Sequence, residues 1–350
     1  MSLKKSIIQL IKFFAFLIAG ISLLWLAFRN INFSGLGQKI IHADYKWLVL
    51  SIIFATLAYI SRARRWVLLI RPLGYNPSFK NTFNAMMTGY LANMALPRIG
   101  EITRCIALGK KEKIPTGQLF GTVIIERTVD MLSLLIITFI MLLIKGHLLG
   151  SFLVKNALEP FTGKIKAASG SALILWIIIL ASILLISYLI FVYRKNLRKI
   201  RFFAKMFDIA KGVITGLKTI TSVRKKGELL FHTVFIWLNY ALMSWIVVFT
   251  LESTSHLTFS DGVLLLVIGG LAMSAPVQSG LGAFHFIISR GLNGLYGVSL
   301  EDGLAYALIS HESQLIYGAI LGFIAFYLLV KKDRIKLTID GQNQNSVDLP

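Results

Sequence analysis

The sequence predicts an all-α protein, a polytopic integral membrane bundle of about six full spans plus two Pro/Gly-broken segments that re-enter or pair. Three observations predict it. Hydrophobic residues make up 56% of the 350 residues and charged residues 15%, with a mean hydropathy of +0.72. The apolar residues gather into runs of spanning length, and the basic residues gather at the ends of particular runs. The formal charge of +21 is therefore read as topology, with membrane as the partner and no nucleic acid. A single cysteine, Cys105, excludes an internal disulfide and a Cys-rich metal site.

The first run, residues 6–28, follows Lys4 and Lys5 and has no small-residue cleavage pattern after it, so it reads as an uncleaved span with a cytoplasmic N-terminus. Further runs cover residues 47–70, 117–144, 172–193, 229–251 and 303–330. Arg62, Arg64, Arg65, Arg71 and Lys80 place the loop after the second run in the cytoplasm. Residues 194–228 hold eleven Lys and Arg against two acids, and Lys331, Lys332, Arg334 and Lys336 follow the last run. Both segments are cytoplasmic on the same rule, which puts both termini on the inner side of the cytoplasmic membrane. Within 194–228, Ile200, Phe203, Phe207, Ala210, Ile214 and Leu217 recur at helical spacing between basic residues, the pattern of an amphipathic interfacial helix.

Residues 81–109 and 260–296 are apolar but broken by Pro97 and Gly100, and by Pro276, Gly280 and Gly282. Parity of the flanking spans sends the first in from the cytoplasm and back, and the second in from the outer face and back. Both share the order G-x-L-A, then Pro, then Gly. Opposed broken segments are what an inverted repeat around a midplane site would give, with residues 46–144 and 229–330 as its halves. The whole of residues 1–336 reads as one transmembrane domain, followed by a short tail, 337–350.

The span at 117–144 carries Glu126, Arg127 and Asp130 near its middle. Each ionised residue there costs roughly 2.5–3.5 kcal/mol, and each Leu, Ile, Val or Phe returns about 0.3–0.6 kcal/mol. The apolar residues of the span roughly cancel three charges, so these side chains must face protein or a wet cavity. Glu126 and Asp130 are four apart and share a helical face.

The string LPRIGEITR (residues 96–104), the ERTVD of 126–130, the Arg64-Arg65-Trp66 stretch and PVQSGLGAFH (276–285) occur in order along nearly the whole chain. Together they resemble the flippase-like membrane domain of lysylphosphatidylglycerol synthases, the multiple peptide resistance factors. Two departures stand out: the first motif is one residue shorter than the family pattern, and His285 replaces a late acid.

The resemblance implies movement of a lipid or lipid-linked anionic headgroup between leaflets, with Arg98, Glu101, Arg104, Glu126, Arg127, Asp130 and His285 as headgroup-binding residues. In this reading Arg98 and Arg104 contact phosphate, the carboxylates balance the arginines or accept a proton or cationic headgroup, and His285 couples transport to protons. Arg62, Arg64 and Arg65 anchor a span end or gather anionic lipid at the cytoplasmic mouth. Asn93 and Gln278 bridge or line the cavity.

The full-length synthases carry a soluble aminoacyl-transferase after the membrane region. The twenty residues 331–350 cannot house one, so lipid lysinylation by this chain alone is not expected. No cofactor or metal is expected, and His311 with Glu312 matches no metal signature. Two other readings remain open beside transport. One is a membrane-embedded lipid-modifying enzyme with Glu126 and Asp130 as acid and base. The other is a non-catalytic partner that presents lipid to a separate transferase.

Overall fold

The computed structural model describes residues 3–29, 31–96, 99–153, 225–274 and 277–345; side chains are described within these ranges except for 3–13, 15, 16, 149–153 and 332–345. Every regular element there is helical: α1 (Leu3–Phe28), α2 (Phe33–Ile41), α3 (Tyr45–Ile70), α4 (Phe79–Ala95), α5 (Gly100–Glu112), α6 (Thr116–Leu153), α7 (Lys226–Ile246), α8 (Phe259–Met273), α9 (Ala283–Tyr296) and α10 (Leu300–Asn345). Four helices, α3, α6, α7 and α10, are long and apolar enough to cross a membrane, and α1 with α2, bent by 89°, makes a fifth if the pair is counted as one span. The run at 172–193, residues 194–224 of the basic stretch expected in 194–228, Pro97, Arg98 and Pro276 lie outside the described residues; residues 226–228 begin α7.

This is a multi-pass membrane protein, and its outward faces are correspondingly apolar. On α6, Leu135, Ile136, Phe139, Leu143 and Ile144 are exposed, and on α10 Ile316, Ile320, Phe323 and Tyr327. The expected run at 117–144 extends to Leu153, with a non-helical residue, Lys145, marking a bend. The short helix α2 is an addition that the hydropathy pattern does not signal. Asn32 caps it by accepting from the amides of Ser34 and Gly35, and Lys39 ties it to Asp302 of α10.

Both broken segments are helix–break–helix pairs. In the first, Gly89 and Gly100 meet backbone to backbone: a Cβ on Gly100 would lie 2.1 Å from the Gly89 carbonyl oxygen. Asn93 Oδ1 accepts from the Gly100 amide at 2.7 Å, satisfying a donor freed at the start of α5. At the base of the pair, Glu112 Oε1 accepts from Ser78 Oγ at 3.0 Å and Asn81 Nδ2 at 2.6 Å, joining the end of α5 to the start of α4.

In the second pair a 3-10 turn, Gln278–Gly280, precedes α9. Gly280 and Gly282 take φ of +75° and +77°, values that favour glycine because no Cβ opposes them. Gly282 also lets α1 approach, since a Cβ there would sit 2.2 Å from the Gly20 carbonyl oxygen. Here too a carboxylate closes the base. Asp261 caps α8 with Thr258, accepts from Tyr296 Oη at 2.8 Å and pairs with Lys145 at 2.9 Å.

The packing has an internal correspondence. The helix α3 packs on α7, α4 on α10 and α8 on α6, α4 on α5 and α8 on α9, and α5 on α6 and α9 on α10. Exchanging α3, α4, α5 and α6 for α7, α8, α9 and α10 maps these pairs onto one another, whereas the packing of α3 on α6 has no counterpart of similar extent between α7 and α10. The two breaks approach one another where Ser279 Oγ lies 3.5 Å from the Asn93 carbonyl oxygen.

Candidate functional site

The helix α6 presents Glu126 and Asp130 on one face, as the four-residue spacing predicts, toward α3 and α5. Arg62 Nη2 donates to Glu126 Oε1 at 2.7 Å and to Asp130 Oδ2 at 3.1 Å. Arg65 Nη2 donates to Asp130 Oδ1 at 2.5 Å. Arg104 of α5 approaches Glu126 Oε2 at 3.1 Å, and Arg127 donates to Glu126 Oε1 at 3.2 Å. Three of the four guanidinium groups are buried with Glu126, whereas the Arg127 side chain is 43% exposed.

Four guanidinium charges face two carboxylates, leaving two positive charges unmatched within the cluster. Its donors exceed its acceptors too. Arg62 Nε, Arg65 Nε and Nη1, and all three Arg104 nitrogens are buried with no hydrogen-bond partner among the described residues, against one such acceptor, Glu126 Oε2. Aromatic faces supply part of the environment: the Arg104 guanidinium lies 4.6 Å from the Trp66 ring and Arg62 lies 5.9 Å from Tyr90. Trp66 is itself fixed by donating Nε1–H to Thr122 Oγ1 at 2.9 Å, and Arg62 Nη1 donates to Tyr240 Oη at 2.9 Å.

Two adjoining cavities of about 480 and 690 Å³ open beside this cluster, and Arg62, Arg127, Tyr240, Met243, Met273, His311 and Gln314 line both. Their walls are otherwise largely apolar, from residues such as Leu134, Trp237, Leu265 and Ile288 on one side and Tyr59, Met94 and Leu315 on the other. A site with a charged rim and apolar walls can hold an anionic headgroup while leaving attached chains in an apolar medium.

The residues expected to form a site separate into three groups. Arg104, Glu126, Arg127 and Asp130 come together, and the structure adds Arg62 and Arg65 to them. The latter two do not sit at a solvent-facing span end, as the basic run suggests, but are buried because α6 supplies carboxylates opposite them. Arg64 alone of that run is exposed, stacked 4.3 Å from Phe79.

Glu101 and Asn93 belong to the first break. Glu101 is half-buried and its Oε2 has no hydrogen-bond partner among the described residues. Gln278 lies in the 3-10 turn and lines neither cavity. His285 is buried on α9, where its Nε2 is 3.1 Å from Glu312 Oε1. Tyr240 and Tyr90 are not legible as site residues, since an aromatic in an apolar run carries no signal of what it will face, and Trp66 is marked only by the Arg64-Arg65-Trp66 stretch.

The profile of the family described as the lysylphosphatidylglycerol synthase TM region matches residues 12–322. A curated relative, UPF0104 membrane protein MJ1595 of Methanocaldococcus jannaschii, is 24% identical over 343 residues, covering 94% of this chain and 96% of the relative. No solved structure matches the chain.

Proposed function

The chain belongs to the lysylphosphatidylglycerol synthase TM-region family, and from that membership together with the charged site we propose that it translocates a lipid or lipid-linked phosphate between leaflets of the cytoplasmic membrane. The observation that carries the reading is the unmatched positive charge on a cavity wall: Arg62 and Arg127 line both cavities and belong to a cluster of four arginines with two carboxylates. A phosphate there meets guanidinium donors whose planar fork matches its oxygens. Glu126, Arg65 and Arg104 hold the cluster in place, and Arg127, the most exposed member, makes first contact. Glu101, at the start of α5, and His285, reached through Glu312, are outlying members of the site in this reading.

The packing correspondence between α3–α6 and α7–α10 supports an inverted repeat, residues 46–144 and 229–330, within one transmembrane domain of residues 1–336. Alternating access then follows from rocking one half against the other around the shared cavity. Both termini lie in the cytoplasm, with residues 194–228 on the anionic inner leaflet.

The test is reconstitution of the purified chain in liposomes, with leaflet exchange measured for labelled anionic, zwitterionic and isoprenyl-phosphate lipids. Exchange of phosphate-bearing lipids that falls severalfold in Arg127→Gln is expected. Folded protein that exchanges none of them would sink the transport reading and turn attention to product analysis for an enzyme or to co-purification of a partner transferase.

A further inference from the structure

His285 of α9 and His311 and Glu312 of α10 converge beside the cavities, with one ligand atom from each lying within 4.8 Å of the others. Glu312 Oε1 is 3.1 Å from His285 Nε2 and 3.1 Å from His311 Nδ1. On its other side His311 Nε2 is 2.8 Å from the Ser279 carbonyl oxygen. A carbonyl only accepts, so Nε2 carries the proton. Neutral His311 then turns a bare Nδ1 lone pair toward a carboxylate oxygen, and two acceptors face each other.

His285 adds a second unresolved group. Its side chain is buried, and neither ring nitrogen has a hydrogen-bond partner among the described residues, Nε2 making only the 3.1 Å approach to Glu312 Oε1. Leaving such a polar ring unpartnered in the interior is costly. A cation among the three atoms would take up all three lone pairs at once.

We propose that His285 Nε2, His311 Nδ1 and Glu312 Oε1 bind one divalent metal ion of the zinc class. Two imidazoles and one carboxylate favour such an ion over magnesium or calcium, which prefer oxygen-only sets. Bonds of about 2.0–2.1 Å at tetrahedral angles separate ligand atoms by roughly 3.3 Å, close to the 3.1 Å found for both histidines against Glu312; the two histidine nitrogens, within 4.8 Å of each other, draw together when the ion binds. The His311 Nε2–H bond to the Ser279 carbonyl is the outer-shell contact that fixes ring orientation in metal-bound histidines. Ser279 is held for this role in a left-handed conformation, φ +47°, inside the second break.

Three protein ligands leave a fourth position, characteristic of sites that take water or substrate. Glu312 is 38% exposed, and His311 lines the same two cavities as Arg62 and Arg127. The fourth position therefore faces the space bounded by the arginines, where it takes water or a phosphate oxygen. The metal site is independent of the transport reading, and its test does not use lipid exchange.

The experiment uses the full chain purified in detergent through a histidine-free tag, stripped with a chelator and dialysed against zinc, with bound metal measured per protein. One equivalent is expected, with His285→Ala, His311→Ala and Glu312→Gln each weakening binding by about tenfold or more and His256→Ala, on the exposed surface, leaving it unchanged. Wild-type protein loaded with cobalt(II) is expected to show the intense visible bands of a tetrahedral site, a readout that needs no variant to fold. Absence of stoichiometric zinc in the wild type, retention of zinc in folded variants of all three ligands, or a cobalt spectrum like that of the hydrated ion would overturn the proposal; the pair would then be a protonated His311 against Glu312.

Discussion

Arg62 Nη2 lies 2.7 Å from Glu126 Oε1 and joins α3 to α6 across 64 residues of sequence. The same nitrogen reaches Asp130 at 3.1 Å, so one guanidinium edge spans two carboxylates a helical turn apart. Glu126 in turn lies near Arg62, Arg65, Arg104 and Arg127. It is the anion on which the local charge balance depends.

Glu126→Gln is therefore expected to destabilise the protein by about 3–5 kcal/mol, the cost of leaving buried charge uncompensated. Thermal unfolding in detergent measures this directly. A melting curve indistinguishable from wild type would mean that the cluster is solvated and that the buried ion pairs do not hold the spans together.

Arg127→Gln separates stability from binding. Its side chain is partly exposed and lines both cavities, so stability should change by no more than about 0.5 kcal/mol while phosphate-lipid exchange drops severalfold. Loss of fold without selective loss of exchange would assign Arg127 to the scaffold instead.

At the first break, Asn93→Ala removes the acceptor for the Gly100 amide. An orphaned donor there is expected to cost about 1–3 kcal/mol, read as a lower unfolding midpoint and faster amide exchange at the start of α5. Unchanged protection of that amide would show that water or another group replaces Asn93.

Gly100→Ala should be worse, because its Cβ would lie 2.1 Å from a backbone oxygen and α4 and α5 would have to separate. A loss of about 1–3 kcal/mol or more is expected from such overpacking. Gly121→Ala is the matched control: it is exposed within α6 with nothing within 4 Å of the added carbon, and it should gain up to about 1 kcal/mol of helix propensity. Equal behaviour of the two variants would be incompatible with close α4–α5 contact.

The expected spans at 47–70, 117–144, 229–251 and 303–330 fall on α3, α6, α7 and α10, since hydropathy over a spanning length is a local property written in consecutive residues. The breaks near Pro97 and Pro276 were legible for the same reason, through Pro and Gly. Glu126 and Asp130 were legible as a shared face, because spacing of four fixes that within one helix. Arg62 and Arg65 do not occupy the exposed span end that the basic run suggests, since a run of basic residues looks the same whether it meets water or a carboxylate from another helix.

By itself, then, the sequence determined the membrane class, the apolar helices, the interruptions and the presence of charge inside a span. Tertiary structure alone decided which charges meet. It put Arg62 and Arg65 of α3 and Arg104 of α5 against Glu126 and Asp130 of α6, and it placed His285 of α9 against His311 and Glu312 of α10. The physical reason is that helical periodicity fixes the direction of a side chain on its own helix, whereas its partner depends on how separate helices pack, and that is set jointly by close approaches such as Gly89 on Gly100 and by the burial of charge that lipid cannot solvate.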